Sequence, residues 1–260
     1  MHGHLAGILL AGLVAELLRL LFLVRGVNSR LAIAEAHRGA SGEGVDWHRI
    51  FRFSGVAVLL MIADTIVWQK SEVFFLERYS SHAAIALYSL SYGLVFGIMQ
   101  IPTAVSNILL PVFAEGYGAG NTTVMTRGYY FATKYLALAV VPLGVGAIVL
   151  SPQLIAVLYG PAYAGAVPIL RILLATGTIA AFNRPISTSL FSAEKQNFIL
   201  ITTVILALVN VLFDIALIPN YGALGASWAN GLTQLLSIGL GGSFVLFRLQ
   251  FAFPWMEVAK

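Results

Sequence analysis

The sequence has no cysteine, which excludes a disulfide framework and any thiolate metal site and leaves redox compartment unreadable. Charge is nearly as scarce. Asp, Glu, Lys and Arg make up 10% of the 260 residues, where a soluble domain carries roughly a quarter. Histidine occurs only at His2, His4, His37, His48 and His82, all in expected termini or connections, so neither a metal cluster nor a histidine proton relay is implied. A Gly-x-x-x-x-Gly-Lys phosphate loop, a His-Glu-x-x-His zinc helix and a Gly-x-Ser-x-Gly elbow are also missing. No soluble enzyme chemistry is encoded. What is there is apolar: hydrophobic residues reach 59% and mean hydropathy is +0.88. At that composition the solvent of the chain is lipid, and it reads as an integral membrane protein.

Seven apolar segments approach the ~20 residues that cross a ~30 Å hydrocarbon core as helix. They run from about Leu5 to Val24 (A), Phe53 to Leu76 (B), Ala83 to Phe113 (C), Gly128 to Leu150 (D), Ala166 to Phe191 (E), Phe198 to Ile218 (F) and Leu224 to Phe247 (G). Segment C is over-long and interrupted by Pro102. Continuous apolar runs containing Gly and Pro favour helices over barrel strands, which alternate with a period of two. The expected fold is an all-α membrane bundle of about seven transmembrane helices. Segment A is a poor signal peptide, since no Lys or Arg precedes it and Glu16 and Arg19 interrupt it.

Cation placement predicts orientation. With the connection after A inside, the inner connections and tail carry Arg25, Arg30, Arg38, Arg49, Arg52, Arg127, Lys195, Arg248 and Lys260, and the outer ones only Arg78. That asymmetry puts the N-terminus outside and the C-terminus in the cytoplasm. The net charge of +4 is then a topology signal facing anionic lipid and not a nucleic-acid patch. A polar, Gly-bearing stretch, AHRGASGEGVDWHRIFRF, separates A from B and reads as a cytoplasmic linker with an interfacial end. The predicted organisation is helix 1–24, linker 25–52, a six-helix unit 53–248 and a cytoplasmic tail 249–260. One helix followed by a six-helix unit matches the end of one transporter lobe and a complete second lobe.

The stretches WQKSEVFFLERYSSHAAIALYSLSYGL, QIPTAVSNILLPVFAE, SPQLIAVLYGPAYAGAVPILRILL, SAEKQNF and LIPNYGALGASWANGLTQLL occur in that order. Together they resemble the C-terminal lobe of polysaccharide flippases, the O-antigen and teichoic-acid exporter type within the multidrug/oligosaccharidyl-lipid/polysaccharide exporter superfamily. The resemblance spans about Arg49 to Arg248. It implies translocation of an undecaprenyl-type lipid-linked oligosaccharide across a bacterial inner membrane by alternating access, with H⁺ or Na⁺ coupling and no cofactor. A drug/ion antiporter of the same superfamily, and a non-transporting scaffold or gene remnant, are the alternatives. An embedded polymerase or ligase is disfavoured because the outer connections are short. The family's relatives have twelve or more helices, so the N-terminal lobe is expected from elsewhere: a longer reading frame, a separate partner chain or a homodimer.

Site candidates follow from helix geometry within that frame. At 100° per residue, Asp64, Trp68, Ser71 and Glu72 share an arc of about 100° on B, with Lys70 about 120° from Asp64. A carboxylate near the middle of a span needs a cavity or a partner, so Asp64 is the expected ion-coupling residue and Glu72 an expected cavity residue. Either is alternatively satisfied by hydrogen bonding or by snorkelling to the interface. A pyrophosphate head group needs fixed positive charge, which nominates Lys70, Arg171 and Arg184, with Arg19 as a further cation. Arg171 and Arg184 are separated by about 20 Å of helix and would serve different steps. Gly93 and Gly97 read as a small-xxx-small contact. Asn210 and Asp214 on F form one polar face toward Asn230, Thr233, Gln234 and Ser237 on G.

Overall fold

The computed structural model describes residues 55, 71–120 and 122–248. The chain divides into two compact units, Met1–Ile50 and Phe51–Lys260, and everything described lies in the second. Segment A, the linker 25–52, the tail 249–260, and Asp64 and Lys70 on B lie outside the described residues.

Every described element is helical. The C-terminal end of B forms α1 (71–79), and Ser81 then caps α2 (His82–Ile98), its side chain accepting from the Ala84 N–H at 3.2 Å. α3 is Gln100–Gly118 and α4 is Thr122–Val149. A short α5 (Ser151–Leu158), which hydropathy did not predict, leads through a 3₁₀ turn to α6 (Ala166–Ala180) and α7 (Asn183–Ser192). α8 runs from Gln196 to Arg248. Among the described residues four helical stretches are long and apolar enough to cross a membrane: His82–Gly118, Thr123–Val149, Ala166–Ser192 and Gln196–Phe247. The chain is a multi-pass membrane protein, all-helical throughout the described residues.

The helix breaks follow from proline. A proline ring collides with the carbonyl four residues earlier and supplies no N–H to it. For Pro102 that residue is Ile98, where α2 ends; for Pro185 it is Ala181, just after α6 ends. The predicted segments C and E therefore each form two helices meeting at a bend. Ala181 keeps a partner by accepting from the Arg184 N–H at 3.1 Å, a tighter turn. α7 stops differently. Glu194 takes φ +54°, its N–H donates to the Phe191 carbonyl and that of Lys195 to the Leu190 carbonyl, a Schellman closure with Glu where Gly is commoner.

Predicted segments F and G are the two halves of α8, folded back at Gly222. Gly222 adopts φ +53°, ψ −129°, a combination that a side chain would strain. Gly225 then passes so close to the preceding half that a Cβ would lie 2.3 Å from the Leu217 carbonyl oxygen. Glycine also sets two interhelical contacts. Gly144 on α4 meets Thr178, and Gly231 on α8 meets Thr176, with no space for a Cβ. Among the described residues no partner meets the small-residue pair at Gly93 and Gly97: none of them lies within 4 Å of a Cβ at either position.

α6 is the axis of the packing. Ile169, Leu170, Leu173 and Leu174 join Leu76, Tyr88, Val95, Ile155, Ile218 and Ala226 in one buried cluster. A second cluster at the other end unites Phe113, Met125, Tyr129, Ile186, Leu190 and Val245. The opposite faces carry large exposed side chains such as Leu208, Leu212 and Ile215, which suit lipid.

Candidate functional site

Two polar features sit inside this apolar bundle and touch one another. The first is built on Glu72 of α1, which is only 1% exposed. Asn230 Nδ2 donates to Glu72 Oε1 at 2.8 Å, and Asn210 Nδ2 approaches the same oxygen at 3.5 Å. Ser71 Oγ donates to Asn210 Oδ1 at 2.8 Å, and Asn210 also reaches Thr233 Oγ1 at 3.4 Å. Adjacent Ser71 and Glu72 therefore both close onto α8, and the hairpin at Gly222 is what brings Asn210 opposite Thr233.

Asp214, one turn along from Asn210, is fully buried with no hydrogen-bond partner on either carboxylate oxygen. Ser71 lies beside it, yet its hydroxyl is directed to Asn210. Asp214 and Glu72 are close enough for each charge to be felt by Tyr88, whose hydroxyl is also buried without a partner. Two buried carboxyls, of which Glu72 has amide donors and Asp214 none among the described residues, with no salt bridge among those residues, are costly to keep charged together. Such a pair is suited to taking up and releasing a proton.

The second feature is a cavity of about 460 Å³ between α2, α6, α7 and α8. Arg184 supplies its positive charge, and Tyr92, Asn183, Ser187, Thr202, Thr203, Gln234 and Ser237 supply polar groups. Phe96, Phe191 and Phe198 give it apolar walls. The bend before Pro185 is what turns Asn183 and Arg184 toward this space, and Asn183 Nδ2 donates to Ser237 Oγ at 2.7 Å. A rigid guanidinium among hydroxyls and amides fits an anionic oxygen-rich group; aromatic walls fit an attached apolar part.

The predicted residues are thus separated by the fold. Arg184 lines the cavity, whereas Glu72 is sealed in the polar cluster beside it. Arg171, exposed on α6, donates through Nε to Ser151 Oγ at 2.9 Å and does not border the cavity. The polar face expected between F and G is present, but it closes on Glu72, which was assigned to a cavity wall. Ser237 turns instead to Asn183 of α7, a residue with no signal in sequence because one Asn beside an Arg is common. Tyr88 was visible only as part of the ALYSL stretch.

The family described as polysaccharide biosynthesis protein matches residues 6–168. The teichuronic acid biosynthesis protein TuaB of Bacillus subtilis (strain 168) is 26% identical over 127 residues, 48% of this chain and 26% of that protein. Among solved structures, the lipid II flippase MurJ in an inward closed conformation aligns with a TM-score of 0.66 at 17% identity. That alignment covers 88% of this chain and 49% of MurJ, so the likeness is one of fold. The chain spans about half of that structure and about a quarter of the curated relative.

Proposed function

Because the chain belongs to the family of polysaccharide biosynthesis proteins, we propose that its six-helix unit is one lobe of a flippase for a lipid-linked oligosaccharide. The observation that carries this reading is the cavity at Arg184, an exposed cation that borders hydroxyl and amide groups between apolar helices. A lipid-linked sugar phosphate needs such a place for its head group, and its apolar carrier can remain in the membrane outside. The part of TuaB in teichuronic acid biosynthesis and of MurJ as a lipid II flippase supports that substrate class.

In this reading the lobe rocks against a second one around a midplane site. The second lobe is supplied by the same polypeptide, a partner chain or another copy of this chain. The positive-inside asymmetry supports an outer N-terminus, an inner C-terminus and residence in a bacterial inner membrane. Arg184 binds the head group within the lobe. Arg171, about 20 Å away along the helix, meets it in the outward step, and Lys70 adds charge from B. Asp64 remains the proposed coupling residue on B, and Glu72 with Asp214 forms a second acidic site through which an ion gradient acts. A drug/ion antiporter is the lesser reading, since Arg184 would repel the cationic compounds that such transporters export.

Reconstitution of the full chain with its opposing lobe, and a fluorescent lipid-linked sugar, tests the proposal. Transfer between leaflets is expected for the wild type. Arg184→Gln, by removing a charge-assisted bond worth about 1.5–3 kcal/mol, should lower head-group affinity by about tenfold or more. An unchanged affinity would remove Arg184 from the site, and no transfer by the wild type would overturn the flippase reading.

A further inference from the structure

The cavity and the buried carboxylates are joined by two side-chain amides in series. Gln234 borders the cavity and donates its Nε2 to Asn230 Oδ1. Asn230 in turn donates its Nδ2 to Glu72 Oε1 at 2.8 Å. An amide presents a donor on one side and an acceptor on the other, so the series has a direction. With Glu72 ionised, both N–H groups point toward the carboxylate. The Gln234 atom turned away from Asn230 is then its carbonyl oxygen, the wrong group to meet an anion held by Arg184.

We propose that Gln234 and Asn230 are positioning residues forming a reversible amide relay, which couples occupation of the cavity by a phosphate head group to a proton on Glu72. The inference rests on the reading of the cavity as a head-group site. A phosphate oxygen beside Arg184 draws the Gln234 N–H toward itself. Turning that amide puts Gln234 Oε1 against Asn230, so Asn230 turns as well and presents Oδ1 to Glu72. Oxygen facing carboxylate is repulsive. The reversed series is stable once one proton from water sits on Glu72 Oε1 and is donated to Asn230 Oδ1. Head group and proton thus enter together, and each raises the affinity for the other by the same factor.

The surroundings of Glu72 fit that role. Asp214 on α8 is a second buried carboxyl nearby, Tyr88 on α2 lies within electrostatic reach of both, and Tyr92 stacks on Tyr88. Arg184 on α7 is the cation of the cavity and not of the buried pair. The remaining donor to Oε1, Asn210 at 3.5 Å, is the longer of the two, so Asn230 controls that oxygen.

The test measures binding of geranyl pyrophosphate to the full-length protein in lipid nanodiscs as a function of pH. Wild type, Gln234→Leu and Glu72→Gln are compared, which cancels the probe's own ionisation. The wild type should bind about fivefold or more tighter at the low end of the range, relative to a Gln234→Leu variant that stays near the weak limit throughout. Glu72→Gln, whose amide meets Asn230 Oδ1 with an N–H at every pH, should stay near the tight limit. If Gln234→Leu keeps the wild-type pH profile, the relay is wrong and the head-group site survives. If the wild type does not bind the probe at any pH, the head-group reading falls and the relay with it.

Discussion

At the scale of single residues, Glu72 depends on two amides for its burial. Removing Asn230 takes from a carboxylate that is 1% exposed the shorter of its two amide donors and leaves Asn210 at 3.5 Å, and an under-satisfied buried group costs about 1–3 kcal/mol. Asn230→Leu should therefore lower thermal stability in detergent by that amount. The same substitution on a Glu72→Leu background should cost far less, because the charge that needed the amide is gone. Additive losses in the double variant would mean that Asn230 contributes packing alone. Asn210→Leu is expected to behave similarly but more mildly, its bond to Glu72 being longer, although Ser71 also loses its acceptor.

At the scale of elements, the hairpin in α8 is where glycine cannot be replaced. Gly225→Ala drives a Cβ to 2.3 Å from a backbone carbonyl, which cannot move aside as a side-chain tip can. Gly222→Ala holds a side chain at φ +53°, ψ −129°, a strain of about 1–3 kcal/mol. Both should reduce the yield of monodisperse protein, Gly225→Ala the more, and both should separate Asn210 from Thr233. Gly93→Ala and Gly97→Ala are the contrasting pair. Each meets open space on a regular helix, so helix propensity should make them neutral or stabilising by up to about 1 kcal/mol. A large loss at Gly93 or Gly97 would show that another helix presses there. The bends at Pro102 and Pro185 belong to this scale too, since each follows from one ring and one carbonyl.

At the scale of the whole molecule, the absence of native cysteine makes orientation directly measurable. Under the proposed topology Tyr79, the last residue of α1, faces outside and Lys195, between α7 and α8, faces the cytoplasm. A membrane-impermeant maleimide should label Tyr79→Cys on intact cells or right-side-out vesicles, and Lys195→Cys only after permeabilisation. The reverse pattern would invert the positive-inside assignment.

Composition alone determined that this chain lives in lipid, because no soluble fold can hide an apolar fraction this high with so few charges. The prolines at 102 and 185 marked two helix breaks and the glycine-bearing Pro-x-Tyr-Gly turn marked where F turns into G, since those are backbone effects local in sequence, whereas Pro142, readable as a break too, lies inside the continuous α4. The five ordered stretches carried the family resemblance for the same reason: they are local. Hydropathy did not reveal α5, whose eight residues are too few to register as a span. Nor did it reveal which face of a helix meets which neighbour. In water an amphipathic stripe marks the buried side, but in lipid both sides are apolar and association depends on fit. Gly144 and Gly231 therefore could not be told from Gly93 and Gly97 before packing was known. For the same reason Glu72 was readable as a costly intramembrane acid, but not as one closed over by Asn210 and Asn230. Only the fold-back of α8, and the turn of α7 that brings Arg184 to the cavity, decided that the buried acid ends an amide series whose other end, Gln234, borders the same cavity as Arg184.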